Sequence, residues 1–532
     1  MCYLCIIMSF TDSEIRYPVG IQSFSEIIEG GYVYVDKTAV IYNLINSGKY
    51  FFLSRPRRFG KSLLLSTIEA YFQGRKDLFD GLAIQSLTDK WESHPILHLD
   101  LNNRNYKDEN SLTEELNSNL EKWEALYGDE KRDREVEERF EHVIYKAYQT
   151  TGKKVVILID EYDKPLLNTI DQPDVAKKYR EILKAFYGNL KTMDRYIQFA
   201  MLTGVARFSK ISIFSDLNNL RDISFSTEFS SICGITPDEL KRDFRYGISK
   251  MAEAYGVSCE DMTERLRLNY DGYHFTVDGD DVYNPFSLIY AFAENYISSF
   301  WFETGTPTFL VKLLLNGNFK LQDLEGCRIK RSNLIRADIH SDDPVPAFYQ
   351  TGYLTILDYN PQFDQFILGY PNREVKEGFL EFLLPYYIKS PASKTEFDIS
   401  RFVDDVCGGN VESFMKRLEA LIAKVPYSEK GAPPEAHFQN AVYLIYTLMG
   451  FYTRMEERIS DGRIDVTVET EKYIYLFEFK IDSDAASSIG QIHKKEYWTP
   501  YTSTGKRIIA IGVNFDTRTR RLDSYLTEEI YV

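Results

Sequence analysis

A run near the N-terminus, from Tyr50 to Ser62, constrains the fold more than any other part of the chain. Its first residues are apolar and predict a β-strand, and Gly60, Lys61 and Ser62 then open a segment with apolar residues at helical spacing. A strand, a tight loop and a helix in this order are typical of a phosphate-binding P-loop. In such a loop the backbone N–H groups surround the phosphates, the lysine reaches them, and the serine hydroxyl meets Mg²⁺.

The loop departs from the usual pattern at Arg55, where a glycine is expected. Glycine would permit a tight turn, whereas here Pro56 restricts the backbone and Arg55, Arg57 and Arg58 add positive charge. In one interpretation this charge supplements the backbone amides around the phosphates. In the other, the side chains face solvent or pair with acidic neighbours. The sequence leaves both open, and we take the segment from Arg55 through Phe59 to Ser62 as the predicted nucleotide-binding loop.

An acidic pair follows a later apolar run and completes the predicted nucleotide site. Asp160 and Glu161 come directly after the apolar residues 155–159. In P-loop proteins such an Asp holds Mg²⁺ together with the loop serine, here Ser62, and a following Glu orients the attacking water. Thr203 ends another apolar strand, where it would sense the γ-phosphate. Arg207 is either an arginine finger, a sensor within the same chain or a structural arginine.

The order of elements predicts an α/β multidomain protein. Residues 1–235 alternate continuous apolar strands with helices, which predicts a parallel sheet with helices on both faces. Residues 236–427 are expected to form a mostly helical middle domain, with aromatic segments at 270–275, 283–286 and 350–354 that read as packing and turns. A Pro- and Gly-containing stretch then opens a third domain, 428–532, of α/β type.

The third domain has a predicted hairpin with chemistry-bearing residues. Asp465 lies at the start of one strand, and Glu478 and Lys480 lie two apart on the next, so that both face the same side. If the strands pair, Asp465 lies near Glu478. Two carboxylates can hold Mg²⁺, and a lysine beside the metal can orient or deprotonate water. The alternative is a solvated hairpin with ordinary alternating charge.

Composition excludes several other classes of protein. The formal net charge is −16, which argues against nonspecific binding of nucleic acid over the whole surface. Of the six cysteines only Cys2 and Cys5 are close together, and the seven histidines are scattered, which argues against a zinc site. So few cysteines in a chain of this length fit a reducing cytoplasm. No apolar run reaches the roughly 20 residues of a membrane span. The N-terminus lacks the basic region of a signal peptide, so we expect a cytoplasmic protein with no membrane partner.

Several segments resemble those of the bacterial AAA-ATPase-like family. They are residues 17–21, 34–38, 55–62, 158–165 and 217–220. The resemblance implies that the nucleotide is ATP, and that arginine at position 55 is the usual form of this loop in the family. The aromatic segments of the middle domain resemble family segments that have no assigned chemistry.

The C-terminal order of elements resembles the PD-(D/E)XK nuclease superfamily, with a restriction-endonuclease-like fold. The resemblance implies that Asp465 and Glu478 bind a metal ion, that Lys480 is catalytic, and that Gln491 supports the site from the next helix. It also implies that Glu435 is an accessory acidic residue, although a Glu at a helix N-terminus also serves as a partner of the helix dipole.

The leading hypothesis is an ATP-binding and ATP-hydrolysing protein coupled to a Mg²⁺-dependent nuclease that acts on DNA rather than RNA. The rival is an ATP-driven switch or scaffold whose nuclease-like domain only binds. A small-molecule kinase would leave the downstream domains unexplained. The sequence leaves self-association into a homo-oligomer open.

Overall fold

The computed structural model describes residues 15–205, 213–214, 217, 219–302, 310–311, 313–314, 319–336, 343–388, 392–422, 434–450, 454–457, 466–516, 518–519 and 521–531. The chain forms two compact units. The first takes in Met1–Gly305 and Gly326–Glu374, and the second takes in Thr306–Glu325 and Val375–Val532. The unit that contains the P-loop thus extends past residue 235, and the division into three domains stays a prediction.

The first unit is built on a five-stranded parallel sheet. Its strands are Tyr50–Ser54 (β1), Ile96–Asp100 (β2), Val155–Asp160 (β3), Ile197–Gly204 (β4) and Arg221–Asp222 (β5). Their order across the sheet is β2-β3-β4-β1-β5, and every pairing is parallel. The predicted parallel sheet is therefore confirmed. Because β4 lies between β1 and β3, the carboxyl ends of these three strands meet at one edge.

Helices cover both faces of this sheet, as the continuous apolar strands require. All residues of β1 and β3 are buried. On one face, Phe140 and Leu183 join the core formed with Ile157. On the other, Phe72 lies against Phe199, with ring centroids 5.4 Å apart. The helices up to residue 192 are Phe24–Glu29 (α1), Thr38–Ser47 (α2), Lys61–Phe72 (α3), Ser111–Tyr127 (α4), Val136–Thr151 (α5), Lys164–Asn168 (α6) and Pro173–Thr192 (α7).

The middle region, predicted at residues 236–427, is helical as predicted, and its part within the first unit also contains a small sheet that the sequence did not predict. Its helices are Pro237–Asp243 (α8), Arg245–Tyr255 (α9), Cys259–Tyr270 (α10), Pro285–Glu294 (α11), Arg331–Arg336 (α12) and Val345–Thr351 (α13). The strands Cys327–Lys330 (β6), Thr355–Asn360 (β7) and Gln365–Gly369 (β8) form an antiparallel sheet of order β6-β8-β7.

The second unit combines helices with a mixed sheet, in agreement with the predicted α/β domain. The helices are Arg373–Ile388 (α14), which begins in the first unit, Ala392–Gly408 (α15), Val411–Ile422 (α16), Pro434–Gly450 (α17) and Ala485–Lys495 (α18). The strands are Arg454–Glu457 (β9), Val466–Glu469 (β10), Tyr473–Ile481 (β11), Arg507–Asp516 (β12) and Arg521–Ile530 (β13). Their order is β13-β12-β11-β10-β9, and only β11 and β12 pair in parallel. The edge strands β9 and β13 were not predicted.

Within the described residues, no helix has both the length and the apolar character needed to cross a membrane.

Candidate functional sites

The P-loop, defined here as residues Arg55 to Ser62, connects β1 directly to α3. Gly60 precedes the helix with φ +88°, and no side chain caps the first turn. The first N–H groups of a helix have no partner within the helix, and they carry the positive end of its dipole. This end of α3 therefore has the chemistry that binds an anionic phosphate.

Lys61 is buried where the loop and strand β3 meet. Its side chain is 3% exposed, and Nζ lies 3.1 Å from Glu161 Oε1. The same Nζ donates to the carbonyl oxygens of Arg55 and Pro56, each at 3.2 Å. Glu161 has φ +52°, in the left-handed region that side chains seldom occupy. The predicted phosphate-binding lysine and the predicted water-orienting carboxylate thus form an ion pair.

Asp160 links the loop helix to strand β4. Its Oδ2 accepts a hydrogen bond from Ser62 Oγ, and its Oδ1 accepts one from Thr203 Oγ1, both at 2.5 Å. Asp160 is 4% exposed and Thr203 is fully buried. The structure therefore brings together Ser62, Asp160 and Thr203. Arg207 lies outside the described residues.

The arginines of the loop differ in exposure. The Arg55 side chain is 1% exposed, which excludes the solvent-facing interpretation for it. Its Nη1 donates to the carbonyl oxygens of Ser54 and Ser224, both at 2.9 Å, so the guanidinium is held by the protein. Arg57 and Arg58 are partly exposed. Burial lowers the pKa of Arg58 from its ordinary value.

Two further ionisable residues lie at this edge and were given no role from sequence. Asp100 ends β2 directly opposite Asp160 in the register of the sheet. Burial, and then the nearby Asp160 carboxylate, raise the pKa of Asp100. Burial, reinforced by the Arg57 guanidinium, lowers the pKa of Lys164. The signal for Asp100 was present in the sequence, since an apolar strand ends in Asp there just as it does at Asp160.

The C-terminal candidate site lies between β11 and α18. Glu478 is 2% exposed, whereas Lys480 is 33% exposed. Lys480 Nζ lies 3.3 Å from Glu478 Oε1 and donates to Gln491 Oε1 at 2.6 Å. Gln491 Nε2 in turn donates to Glu478 Oε1. The structure thus brings together the three residues that the sequence placed on a strand and the following helix.

The two strands of the predicted hairpin pair with each other. Strands β10 and β11 are antiparallel, and Val466 pairs with Phe477, the neighbour of Glu478. Asp465 lies outside the described residues. Glu435 belongs to α17, but its side chain is not described. Among the residues that are described, no group of three His, Cys, Asp or Glu side chains could hold a metal ion.

Asn514 is a polar residue of this site that sequence reasoning missed. It pairs with Lys480 in the register of β11 and β12, and it is 2% exposed. Its Oδ1 accepts from the N–H of Ser483 at 2.9 Å, and its Nδ2 donates to Asp523 Oδ2 at 3.2 Å. These bonds fix the chain just after β11. A polar residue following the apolar run 508–513 was the available signal.

Comparison with known proteins assigns the family. The chain is 34% identical over 530 residues, 97% of its length, to the whole of a protein from Azotobacter chroococcum mcd 1 described as "Uncharacterized protein in vnfD 5'region". Residues 18–214 match the AAA-ATPase-like family, described as "Predicted AAA-ATPase", and residues 433–525 match the PD-(D/E)XK nuclease superfamily. The chain belongs to the AAA-ATPase-like family and carries a PD-(D/E)XK nuclease superfamily domain. No solved structure matches it.

The nuclease superfamily domain depends on close packing of α18 against β12 at Gly512. A Cβ added there would lie 2.5 Å from the Ala485 carbonyl oxygen, a backbone atom that cannot rotate away. We expect Gly512→Ala to destabilise this domain by about 1–3 kcal/mol through overpacking. Gly490, inside α18, has no atom within 4 Å of the same position. Gly490→Ala is expected to stabilise the domain by about 0.5–1 kcal/mol. Thermal unfolding checks both, and shifts of the same sign would contradict this packing.

Proposed function

We propose that this AAA-ATPase-like protein binds and hydrolyses ATP at the P-loop, and that its nuclease superfamily domain is a metal-dependent nuclease acting on DNA. The observation that carries the first half is the convergence of Lys61, Ser62, Asp160, Glu161 and Thr203 at one edge of the parallel sheet. The observation that carries the second is the Glu478, Lys480 and Gln491 network.

The donor set at the P-loop fits Mg²⁺. Ser62 Oγ and Asp160 Oδ2 are hard oxygen donors 2.5 Å apart, and they are the two residues that would hold the ion. Mg²⁺ bound there would neutralise charge on the phosphates. Glu161 would orient the attacking water, and Thr203 would hold Asp160 in place through its hydroxyl. Because Lys61 is paired with Glu161, its ammonium must leave that carboxylate to reach a phosphate.

The fit of a metal ion in the nuclease superfamily domain rests on fewer described groups. Glu478 supplies a buried carboxylate on β11, and we propose Asp465 as the second ligand and Glu435 as an accessory acid. A divalent ion bound there would act as a Lewis acid on the phosphodiester. Lys480, partly exposed and held by Gln491, would orient or deprotonate the attacking water.

DNA is proposed as the substrate because the superfamily acts on nucleic acid and the P-loop domain gives the chain a means to couple cutting to ATP. Lys494 and Lys495 are exposed on α18, next to the site, and could contact the phosphate backbone. A reducing cytoplasm is proposed as its location, which the sparse cysteines support.

The test is to measure ATP turnover and strand cleavage on one preparation of the full chain, with and without DNA and Mg²⁺. The proposal expects ATP hydrolysis that requires Mg²⁺, and cleavage of DNA but not of RNA of the same sequence. Chelation of divalent ions should stop both activities. ATP turnover with no cleavage of any nucleic acid would instead favour the switch or scaffold.

A further inference from the structure

The P-loop is contacted by residues that lie far along the chain and have no part in the proposed function. Each of the five residues from Arg55 to Phe59 contacts a residue beyond position 270, within the first compact unit. Two are arginines over aromatic rings: Arg55 Cζ lies 4.0 Å from the Phe275 ring centroid, and Arg58 Cζ lies 3.9 Å from that of Phe286. The Arg57 carbonyl oxygen accepts a hydrogen bond from Trp301 Nε1 at 3.4 Å. Pro56 lies beside Gly352, and the ring centroids of Phe59 and Tyr273 are 4.7 Å apart.

The contacts at the two ends of this stretch are buried. Arg55 and Phe59 are each 1% exposed, and Tyr273 is equally buried. Phe275 contacts both loop residues, since its ring lies under the Arg55 guanidinium and edge-on to Phe59. A cation over an aromatic face within about 6 Å is attracted to it, more strongly when water is excluded. Both ends of the stretch from Arg55 to Phe59 therefore contact one aromatic cluster.

The middle of this stretch also lies against residues of the middle region. Gly352 has φ +90°, and a Cβ added there would lie 2.6 Å from Pro56 Cβ. Arg58 has φ +68°, a backbone conformation that costs energy for a bulky residue. Its guanidinium stacks on Phe286. A strained conformation persists only when the surroundings determine it, and here the surroundings are residues of the middle region.

We propose that Tyr273, Phe275, Phe286, Trp301 and Gly352 are positioning residues for the P-loop. They hold a loop that has Arg55 in place of the first glycine of the general P-loop pattern, in the shape that presents backbone N–H groups to phosphate. This inference rests on the proposed nucleotide-binding function of the same loop. It gives a role to the three aromatic segments of the middle region, each of which supplies at least one of these residues.

The test compares Gly352→Ala with Gly326→Ala in the full chain. Both glycines have positive φ, +90° and +78°, so both substitutions strain the backbone. Only at Gly352 does the added methyl group meet the loop, because nothing lies within 4 Å of the Cβ position at Gly326. We expect Gly352→Ala to weaken MgATP binding about tenfold, since a loop displaced by a fraction of an ångström no longer fits the phosphates. We expect Gly326→Ala to stay within about twofold of the wild type, because its strain does not reach the loop.

Thermal unfolding and MgATP binding are measured on each variant, so that lost stability and lost affinity are separated. Trp301→Phe is the second variant, since it keeps a ring but removes the N–H donated to the Arg57 carbonyl, and it is expected to weaken binding about threefold through that one hydrogen bond. Equal MgATP affinity in Gly352→Ala, Trp301→Phe and the wild type would overturn the inference and leave the proposed function standing. A wild-type protein that binds no ATP would overturn both.

Discussion

Glu161→Gln is expected to lower ATP hydrolysis by a factor of about 100 or more while leaving ATP binding intact or stronger. The carboxylate is the predicted water-orienting group, and the amide cannot accept a proton in its place. Binding should not suffer, because Glu161 lies 3.1 Å from Lys61 Nζ and its negative charge competes with the phosphates for that ammonium. Single-turnover hydrolysis and equilibrium binding of ATP measure the two effects separately.

Two further variants complete this test. Glu181→Gln makes the same chemical change at an exposed position of α7 and should alter neither quantity. Lys61→Ala should weaken ATP binding by a factor of about 30 or more, because it removes a buried charge and leaves the Glu161 carboxylate facing the phosphates. Unchanged hydrolysis in Glu161→Gln would show that this residue has no part in the mechanism. Normal ATP binding by Lys61→Ala would show that the P-loop is not the nucleotide-binding site.

Lys480→Ala is expected to abolish metal-dependent cleavage, with a loss of about 100-fold or more. The side chain is 33% exposed, so its removal should leave the fold intact. Its partners Glu478 and Gln491 would remain hydrogen-bonded to each other. The loss should therefore appear in the cleavage rate and not in the thermal unfolding of the domain.

Lys472→Ala provides the matched control for that experiment. Lys472 lies in the turn that precedes β11, and its side chain is exposed. The Lys472→Ala protein should cleave DNA at the same rate as the wild-type protein. Undiminished cutting by Lys480→Ala would show that the Glu478, Lys480 and Gln491 network is not the catalytic site.

The parts of both sites that the sequence predicted are those fixed by local pattern. Asp160 ends one apolar strand and Thr203 lies one residue before the end of another. Parallel strands bring their carboxyl ends to one edge, so the meeting of these two residues follows from the strands alone. Glu478 and Lys480 share a face because side chains alternate along a strand. Their contact with Gln491 required only that the next helix cover that face.

The role of Arg55 could not be predicted, because its partners are distant in sequence. Two of its hydrogen bonds are to the carbonyl oxygens of Phe229 and Ser230, and its ring contact is with Phe275. No pattern around position 55 signals these residues.

The edge strands β9 and β13 were not predicted from the sequence for another reason. They are neighbours of only one strand each, so their sequences need not have the continuous apolar character of a central strand.

The first compact unit is discontinuous in sequence, with residues 326–374 following a segment of the second unit. Gly352, which lies against Pro56 of the P-loop, belongs to that later part. No single cut in the chain therefore yields a fragment with the whole first unit and nothing of the second. A cut after Glu374 would keep the whole first unit, but the fragment would also carry residues 306–325, which belong to the second unit.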